Sequence, residues 1–104
     1  IEVARHLKER NARRVFVAGT FGLFTGGLEV FQRAYEEGII DNVLTTNLNY
    51  RNPGLADMPW YVEVDMSKYI SYIIASLNYD RSISRLLNPL NRIQNLLTRF
   101  RNAQ

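Results

Sequence analysis

The chain has 104 residues, enough for one small domain, and its 46% hydrophobic content is typical of a folded globular protein rather than a disordered one. It contains no cysteine, which excludes disulfides, thiolate nucleophiles and cysteine metal sites and suits a reducing cytoplasm. Its one histidine, His6, lies among charged residues, where a solvated or packing role is expected. No apolar run reaches the roughly 20 residues that span a bilayer. The chain starts abruptly inside a helical pattern, which suggests a fragment.

The formal net charge is +3, and the basic residues gather at the two ends of the chain. Residues 81–104 hold five arginines and no acid. Such a tail is typical of a solvated helix face, and the alternative is a surface for anionic ligands or nucleic acid. Because no aromatic residues alternate with these arginines, and because no spanning run is present, we expect neither a nucleic acid nor a membrane partner.

The first 27 residues predict a helix, a strand and a turn. Val3 and Leu7 are four residues apart among charged residues, which indicates a helix over 2–11. The apolar run 15–18 predicts a short buried strand. The segment 19–27 is rich in glycine and predicts a turn.

The middle of the chain predicts one helix and two strands. The helix has an inner face that starts at Leu28, and Gly38 is a good left-handed stop for it. The segments 43–46 and 60–64 predict strands, and the proline- and glycine-containing segment 50–59 between them predicts a loop.

The last third of the chain predicts two helices, the first starting near Ser67. Asn88 followed by Pro89 is typical of an N-cap and the first residue of the final helix. Apolar residues at helical spacing predict an inner face on each helix: Ile70, Ile73, Ile74 and Leu77 on the first, and Leu90, Ile93, Leu97 and Phe100, with Leu96 beside them, on the second.

The predicted order is helix, strand, helix, strand, strand, helix, helix. A strand–helix–strand unit at this spacing forms a right-handed crossover between parallel strands. About three strands are few for a doubly wound sheet. We therefore expect an α/β protein, a partial three-layer parallel-sheet sandwich with an exposed edge and an uncovered apolar face.

The turn 19–27 is the candidate phosphate cradle, because glycines that follow a strand expose backbone N–H groups at the ligand-binding edge of a parallel sheet. It has neither the lysine of a P-loop nor the glycine spacing of a dinucleotide site. The alternative is a plain strand-to-helix turn with Thr25 as the helix N-cap.

Two other groups of side chains offer weaker candidates. Glu63 and Asp65 alternate on a strand and could bind Mg²⁺, although Asp65 is also well placed as a helix cap. Ser82, Ser84 and Arg85 could hold phosphate, or the two hydroxyls could stabilise a local turn. The residues provide no nucleophile–base pair.

Several strings of the chain resemble the C-terminal domain of bacterial ribose-phosphate pyrophosphokinases, collinearly from about residue 3 to residue 98. The resemblance implies a type I phosphoribosyltransferase fold, of which residues 1–104 would be an incomplete C-terminal part. The strings are GLFTGGLE at 22–29, AYEEGIID at 34–41, TTNLNYR at 45–51, PWY at 59–61, VDMSKYI at 64–70 and SISRLLNP at 82–89.

The resemblance implies a transferase that moves pyrophosphate from ATP to ribose 5-phosphate with Mg²⁺, making phosphoribosyl pyrophosphate for nucleotide biosynthesis. It also implies a homo-oligomer, which is a hexamer in the family. The family's Asp-Asp-x-x-x-Thr-Gly-Gly-Thr loop, ATP-binding segments and metal ligands are expected outside this segment, which alone would be inactive. The alternative is a non-catalytic synthetase-like protein that acts in assembly or anion binding.

By the same resemblance, Thr20, Gly22, Thr25 and Gly26 are expected to form a wall of the active site. Phe21 stands where the family usually has a histidine.

Ser82 and Ser84 match a Ser-x-Ser segment that, in family members regulated by ADP or phosphate, helps to form an anion site between subunits. We expect these two residues to bind phosphate in the full oligomer.

Overall fold

The computed structural model describes residues 1–104, which form two compact units, an N-terminal unit (Ile1–Met66) and a C-terminal unit (Ser67–Gln104). The elements of the N-terminal unit are α1 (Glu2–Glu9), β1 (Phe16–Gly19), α2 (Glu29–Glu36), β2 (Asn42–Thr46), a 3-10 helix (Pro53–Asp57) and β3 (Tyr61–Val64). Those of the C-terminal unit are α3 (Ser67–Asn78), α4 (Ser84–Leu87) and α5 (Leu90–Asn102).

The three strands form one open, all-parallel sheet in the order β1-β2-β3. Val17 of β1 is level with Val43 of β2, which is level with Tyr61 of β3. Because side chains alternate between the faces of a strand, these three residues share one face of the sheet. The predicted α/β class and partial parallel sheet are confirmed.

The core of the N-terminal unit lies on that face and centres on Trp60, which is fully buried. The Trp60 ring stacks on Phe31 with the ring centroids 5.7 Å apart, and Phe24 and Tyr61 pack edge-on or tilted around the pair. The Trp60 indole N–H donates to Gln32 Oε1 at 2.8 Å, so burial leaves the polar end of the ring satisfied.

The opposite face of the sheet is exposed. Phe16 is 56% exposed, and Val62 and Val64, which alternate with the core-facing Tyr61, are also exposed. The prediction that 15–18 is a buried strand is therefore wrong in part, since burial is complete only at Val15. Parallel sheets normally have both faces covered, and within the N-terminal unit this face has no cover, as expected from the sequence.

Helix α2 ends at Glu36, and Gly38 follows it as the predicted left-handed stop. This glycine has a φ of +70°, and its N–H donates to the Tyr35 carbonyl at 3.0 Å. The next N–H, of Ile39, donates to the Ala34 carbonyl at 2.9 Å. These bonds satisfy the last carbonyls of the helix, as left-handed helix caps generally do.

A carboxylate fastens the start of β1 to the start of β2. Asp41 Oδ2 accepts a hydrogen bond of 2.7 Å from the Val15 N–H and lies 3.6 Å from Lys8 Nζ. The backbone hydrogen bond from Val15 is the largest influence and lowers the pKa of Asp41; desolvation, the next in size, opposes it, and the Lys8 charge lowers the pKa further, so that it lies below its ordinary value.

In the C-terminal unit, the Tyr69 hydroxyl donates to the Leu86 carbonyl, and the Arg92 guanidinium lies over the Tyr69 ring, 5.3 Å from its centroid. Helix α5 begins at Leu90, one residue later than predicted, while Asn88 Oδ1 still accepts from the Leu90 N–H at 3.1 Å.

The inner face predicted for α3 is only partly buried, and the inner face predicted for α5 is not buried at all. No residue of the C-terminal unit is buried, and all of α5 is exposed. A unit of only 38 residues has too little chain to enclose two apolar stripes. No helix of the protein is both long enough and apolar enough to cross a lipid bilayer.

Candidate functional site

The glycine-rich turn 19–27 lies at the carboxyl ends of β1 and β2, as predicted. The Thr20 carbonyl accepts two hydrogen bonds from Thr46 at the end of β2, one from its hydroxyl and one of 3.3 Å from its N–H. The first part of the turn is therefore fixed to the neighbouring strand. In open parallel sheets this edge is where ligands bind.

Gly22 is required in this turn by close packing. A Cβ atom on Gly22 would lie 2.5 Å from the Phe24 ring and 2.8 Å from Thr45 Cγ2. The Phe24 backbone is in the left-handed region, with a φ of +47°, which an L-residue adopts only under constraint. That conformation directs the chain so that the Phe24 ring enters the aromatic cluster around Trp60.

Thr25 and Gly26 lie at the outer side of the turn. The Gly27 N–H donates to the Phe24 carbonyl at 3.0 Å, and Gly27 has a φ of +87°. Helix α2 begins only at Glu29, so the alternative prediction that Thr25 is its N-cap is wrong. The turn between Phe24 and Gly27 separates the threonine from the helix. A Cβ on Gly26 would meet nothing within 4 Å.

A cavity of about 220 Å³ lies between the turn and the sheet, and its lining is almost wholly apolar. Its one polar side chain, Thr45, is engaged, because the Thr45 hydroxyl lies 2.9 Å from the Tyr61 hydroxyl. The turn therefore presents an apolar wall to this cavity. The lining residues are Val17, Ala18, Gly19, Phe21, Gly22, Leu23, Phe24, Phe31, Val43 and Thr45.

Glu63 and Asp65 do not fit a shared Mg²⁺ site. Glu63 forms an ion pair with Arg51, and Asp65 Oδ1 accepts from Asn47 Nδ2 at 2.9 Å. Asp65 also follows the last residue of β3, so the two carboxylates are not held side by side on a strand. No group of three or more His, Cys, Asp or Glu side chains is placed to hold a metal ion.

Ser82 and Ser84 are brought together in the C-terminal unit, with their hydroxyl oxygens 2.5 Å apart. Ser82 Oγ also accepts from the Ser84 N–H at 3.3 Å, the local turn bond that was the alternative to phosphate binding. The local turn and phosphate binding are compatible, because each hydroxyl group can form a further hydrogen bond.

A groove of about 470 Å³ opens beside Ser84 and is lined by four residues with polar side chains, Ser84, Arg85, Asn88 and Asn91. Its side chains offer hydroxyl, guanidinium and amide donors, a set that suits an anion. Sequence reasoning missed the two asparagines. Their spacing of four and seven residues from Ser84 was the available signal, and the proline that lies between the two asparagines obscured it.

No protein-family model matches the chain. A curated protein does: the ribose-phosphate pyrophosphokinase of Mycoplasma pneumoniae is 28% identical over 87 residues, which is 83% of this chain. The chain spans about a quarter of that relative's length, 26%. Together with the parallel open sheet, this match confirms that the chain resembles ribose-phosphate pyrophosphokinases.

Proposed function

We propose that the chain is the C-terminal part of an enzyme that transfers pyrophosphate from ATP to ribose 5-phosphate and so makes phosphoribosyl pyrophosphate for nucleotide biosynthesis. The observation that carries this proposal is the similarity over 83% of the chain to a protein named ribose-phosphate pyrophosphokinase. The parallel sheet supports it, because its carboxyl edge is a surface of the kind on which such sites are built.

The chain's own contribution would be to shape the site rather than to perform the transfer. Pyrophosphate transfer depends on positioning and on metal and charge clamps around the phosphates. On this proposal the Mg²⁺ ligands and the ATP-binding groups would belong to residues outside this segment, and the poor fit of Glu63 and Asp65 to a shared magnesium site supports that part of it. The apolar wall at Gly22 would limit water at one side of the site.

The proposal treats residues 1–104 as an incomplete part of a phosphoribosyltransferase-type domain that works in a cytoplasmic homo-oligomer. Its test is an assay of AMP release that depends on both ATP and ribose 5-phosphate. The assay would compare the 104-residue chain with a longer encoded polypeptide that contains it. We expect Mg²⁺-dependent turnover from the longer polypeptide and none from the chain alone. A longer polypeptide that folds and binds ATP but releases no AMP would refute the proposed activity.

A non-catalytic role in anion binding is the second candidate, and the hydrogen-bond donors of Ser84 and Arg85 in the groove favour it. The measurement is the response of the longer polypeptide to ADP and inorganic phosphate, with Ser82→Ala and Ser84→Ala as the variants. Ser71→Ala is the matched control, because its exposed hydroxyl donates only to the Ser67 carbonyl within α3. Unchanged responses in both groove variants would exclude phosphate binding at these serines.

A further inference from the structure

Helix α5 exposes a large apolar surface that no other part of the C-terminal unit covers. All of its residues are exposed, including every large apolar one. Scattered exposed apolar residues need no explanation, but a contiguous set on one helix marks an interaction surface. The exposed fractions are 56% for Leu90, 50% for Ile93, 68% for Leu96, 47% for Leu97 and 62% for Phe100.

These five side chains form a single stripe. At the ordinary 3.6 residues per turn they fall within an arc of about 120° around the helix axis. The opposite side of α5 is polar but uncharged. Its residues are Asn91, Gln94, Asn95, Thr98 and Asn102.

The charges of α5 lie on both borders of the stripe. Arg92 and Arg99 line a groove with Asn95 and Leu96 on one border. On the helical wheel, Arg101 falls on the other border, beside Leu97. The whole segment 81–104 contains no acid that could neutralise these guanidinium groups. The surface is therefore an apolar stripe with two arginines on one border and one on the other.

This charge pattern indicates which of three kinds of partner could bind the stripe: a second copy of α5, a nucleic acid or a lipid surface. A second α5 helix packed against the stripe would bring like charges together along both borders, which is unfavourable. A nucleic acid would neutralise the arginines and leave Leu97 and Phe100 in water. An anionic lipid surface satisfies both features, because the apolar side chains enter the acyl boundary while the flanking arginines stay at the level of the lipid phosphates.

We propose that α5 binds in the plane of an anionic lipid bilayer surface through its Leu90–Phe100 stripe and its bordering arginines. Such binding requires no spanning helix. The expectation that no membrane takes part rested on the lack of a spanning run, which concerns only helices that cross the bilayer. The proposal stands on α5 alone and does not depend on the proposed enzymatic activity.

The experiment is co-sedimentation of the 104-residue chain with vesicles of phosphatidylcholine alone or with about 30% phosphatidylglycerol, at low and at physiological salt. We expect binding to the anionic vesicles only, with weaker binding as salt increases. Each arginine near such a surface contributes about 1 kcal/mol, or about fivefold in partitioning. The double variant Arg99→Gln/Arg101→Gln should therefore bind about 25-fold more weakly.

A matched control separates α5 from the general positive charge of the protein. Arg10→Gln/Arg13→Gln changes the net charge equally in the N-terminal unit and should leave partitioning unchanged. An equal loss in both double variants would overturn the proposal, as would equal binding to both kinds of vesicle. It is also overturned if sedimentation equilibrium without lipid shows a dimer that Leu97→Asn abolishes, because a second copy would then cover the stripe.

Discussion

The close packing around Gly22 predicts that adding one methyl group at this position destabilises the fold. The substitution Gly22→Ala would place a Cβ atom 2.5 Å from the Phe24 ring and 2.8 Å from Thr45 Cγ2. Neither neighbour can move freely. The Phe24 ring is held against Phe31 at a centroid distance of 5.1 Å, and Thr45 lies in the central strand and is 5% exposed. The added methyl must therefore displace the turn or disturb the aromatic cluster.

Overpacking of this kind costs about 1–3 kcal/mol in folded proteins. The N-terminal unit has 66 residues, and at about 0.05–0.15 kcal/mol per residue its whole free energy of unfolding is roughly 3–10 kcal/mol. Gly22→Ala should therefore remove a large fraction of the stability. Gly26→Ala makes the same chemical change four residues later, where nothing lies within 4 Å and φ is not positive. It should be neutral or stabilise by about 0.4–1 kcal/mol through the unfolded state.

Equilibrium unfolding in urea, followed by the fluorescence of the single tryptophan, Trp60, measures both variants. With a urea dependence near 1 kcal/mol per molar, the midpoint should fall by about 1–3 M for Gly22→Ala, and for Gly26→Ala it should stay or rise. Equal midpoints for the two variants would refute the reasoning, since the turn would then be free to move away from Thr45.

The same urea assay tests three further predictions. Gly38→Ala should cost about 1–2 kcal/mol because φ is +70° there, and an unchanged midpoint would contradict this. Asp41, whose pKa is lowered chiefly by the Val15 N–H, stabilises the folded state as a carboxylate. Its contribution is present above the unfolded pKa of about 3.9 and is lost as pH falls through the lower folded value. The midpoint difference between Asp41→Asn and the unaltered chain should therefore be seen at pH 7 and shrink below about pH 4, and a difference independent of pH would rule this out. Gln32→Ala leaves the Trp60 indole N–H without its acceptor and should cost about 1–3 kcal/mol, whereas Glu36→Ala, which removes only the hydrogen bond from Gln32 Nε2 to Glu36, should cost less; equal losses in both variants would show that the indole hydrogen bond is not the cause.

Local signals in the sequence were sufficient to predict the order of the elements and the end of α2. Gly38 is followed by the apolar residues Ile39 and Ile40, a pattern that indicates a left-handed cap without any tertiary information. The start of α2 could not be predicted from local signals in the sequence. Thr25 has the right side chain for an N-cap, but the left-handed backbone at Phe24 inserts a turn first, and that conformation depends on where the Phe24 ring packs.

Burial could not be predicted in the same way. An apolar run such as 15–18 indicates that a strand prefers burial on both faces, but not whether the chain itself supplies a cover for each face. Phe16 and the stripe of α5 satisfy the pattern and are exposed. The candidate site likewise has one feature that local patterns predict and one that depends on the three-dimensional structure. The position of the turn at the sheet edge was predictable, whereas the closeness of Gly22 to Thr45 arises from residues 23 positions apart and is visible only in three dimensions.

The strict sequential order of the sheet has a consequence for the way in which the protein folds. Each strand pairs only with its neighbours in the chain, and the paired residues are 26 positions apart for Val17 and Val43 and 18 positions apart for Val43 and Tyr61. The entropic free-energy cost of closing these two loops differs by only about 0.3 kcal/mol, so loop length gives almost no preference for forming one strand pair before the other. On a ribosome, β1 and β2 would be available first, and β3 would join a partly formed sheet together with Trp60. The last strand to emerge would thus bring the largest buried side chain of the core with it.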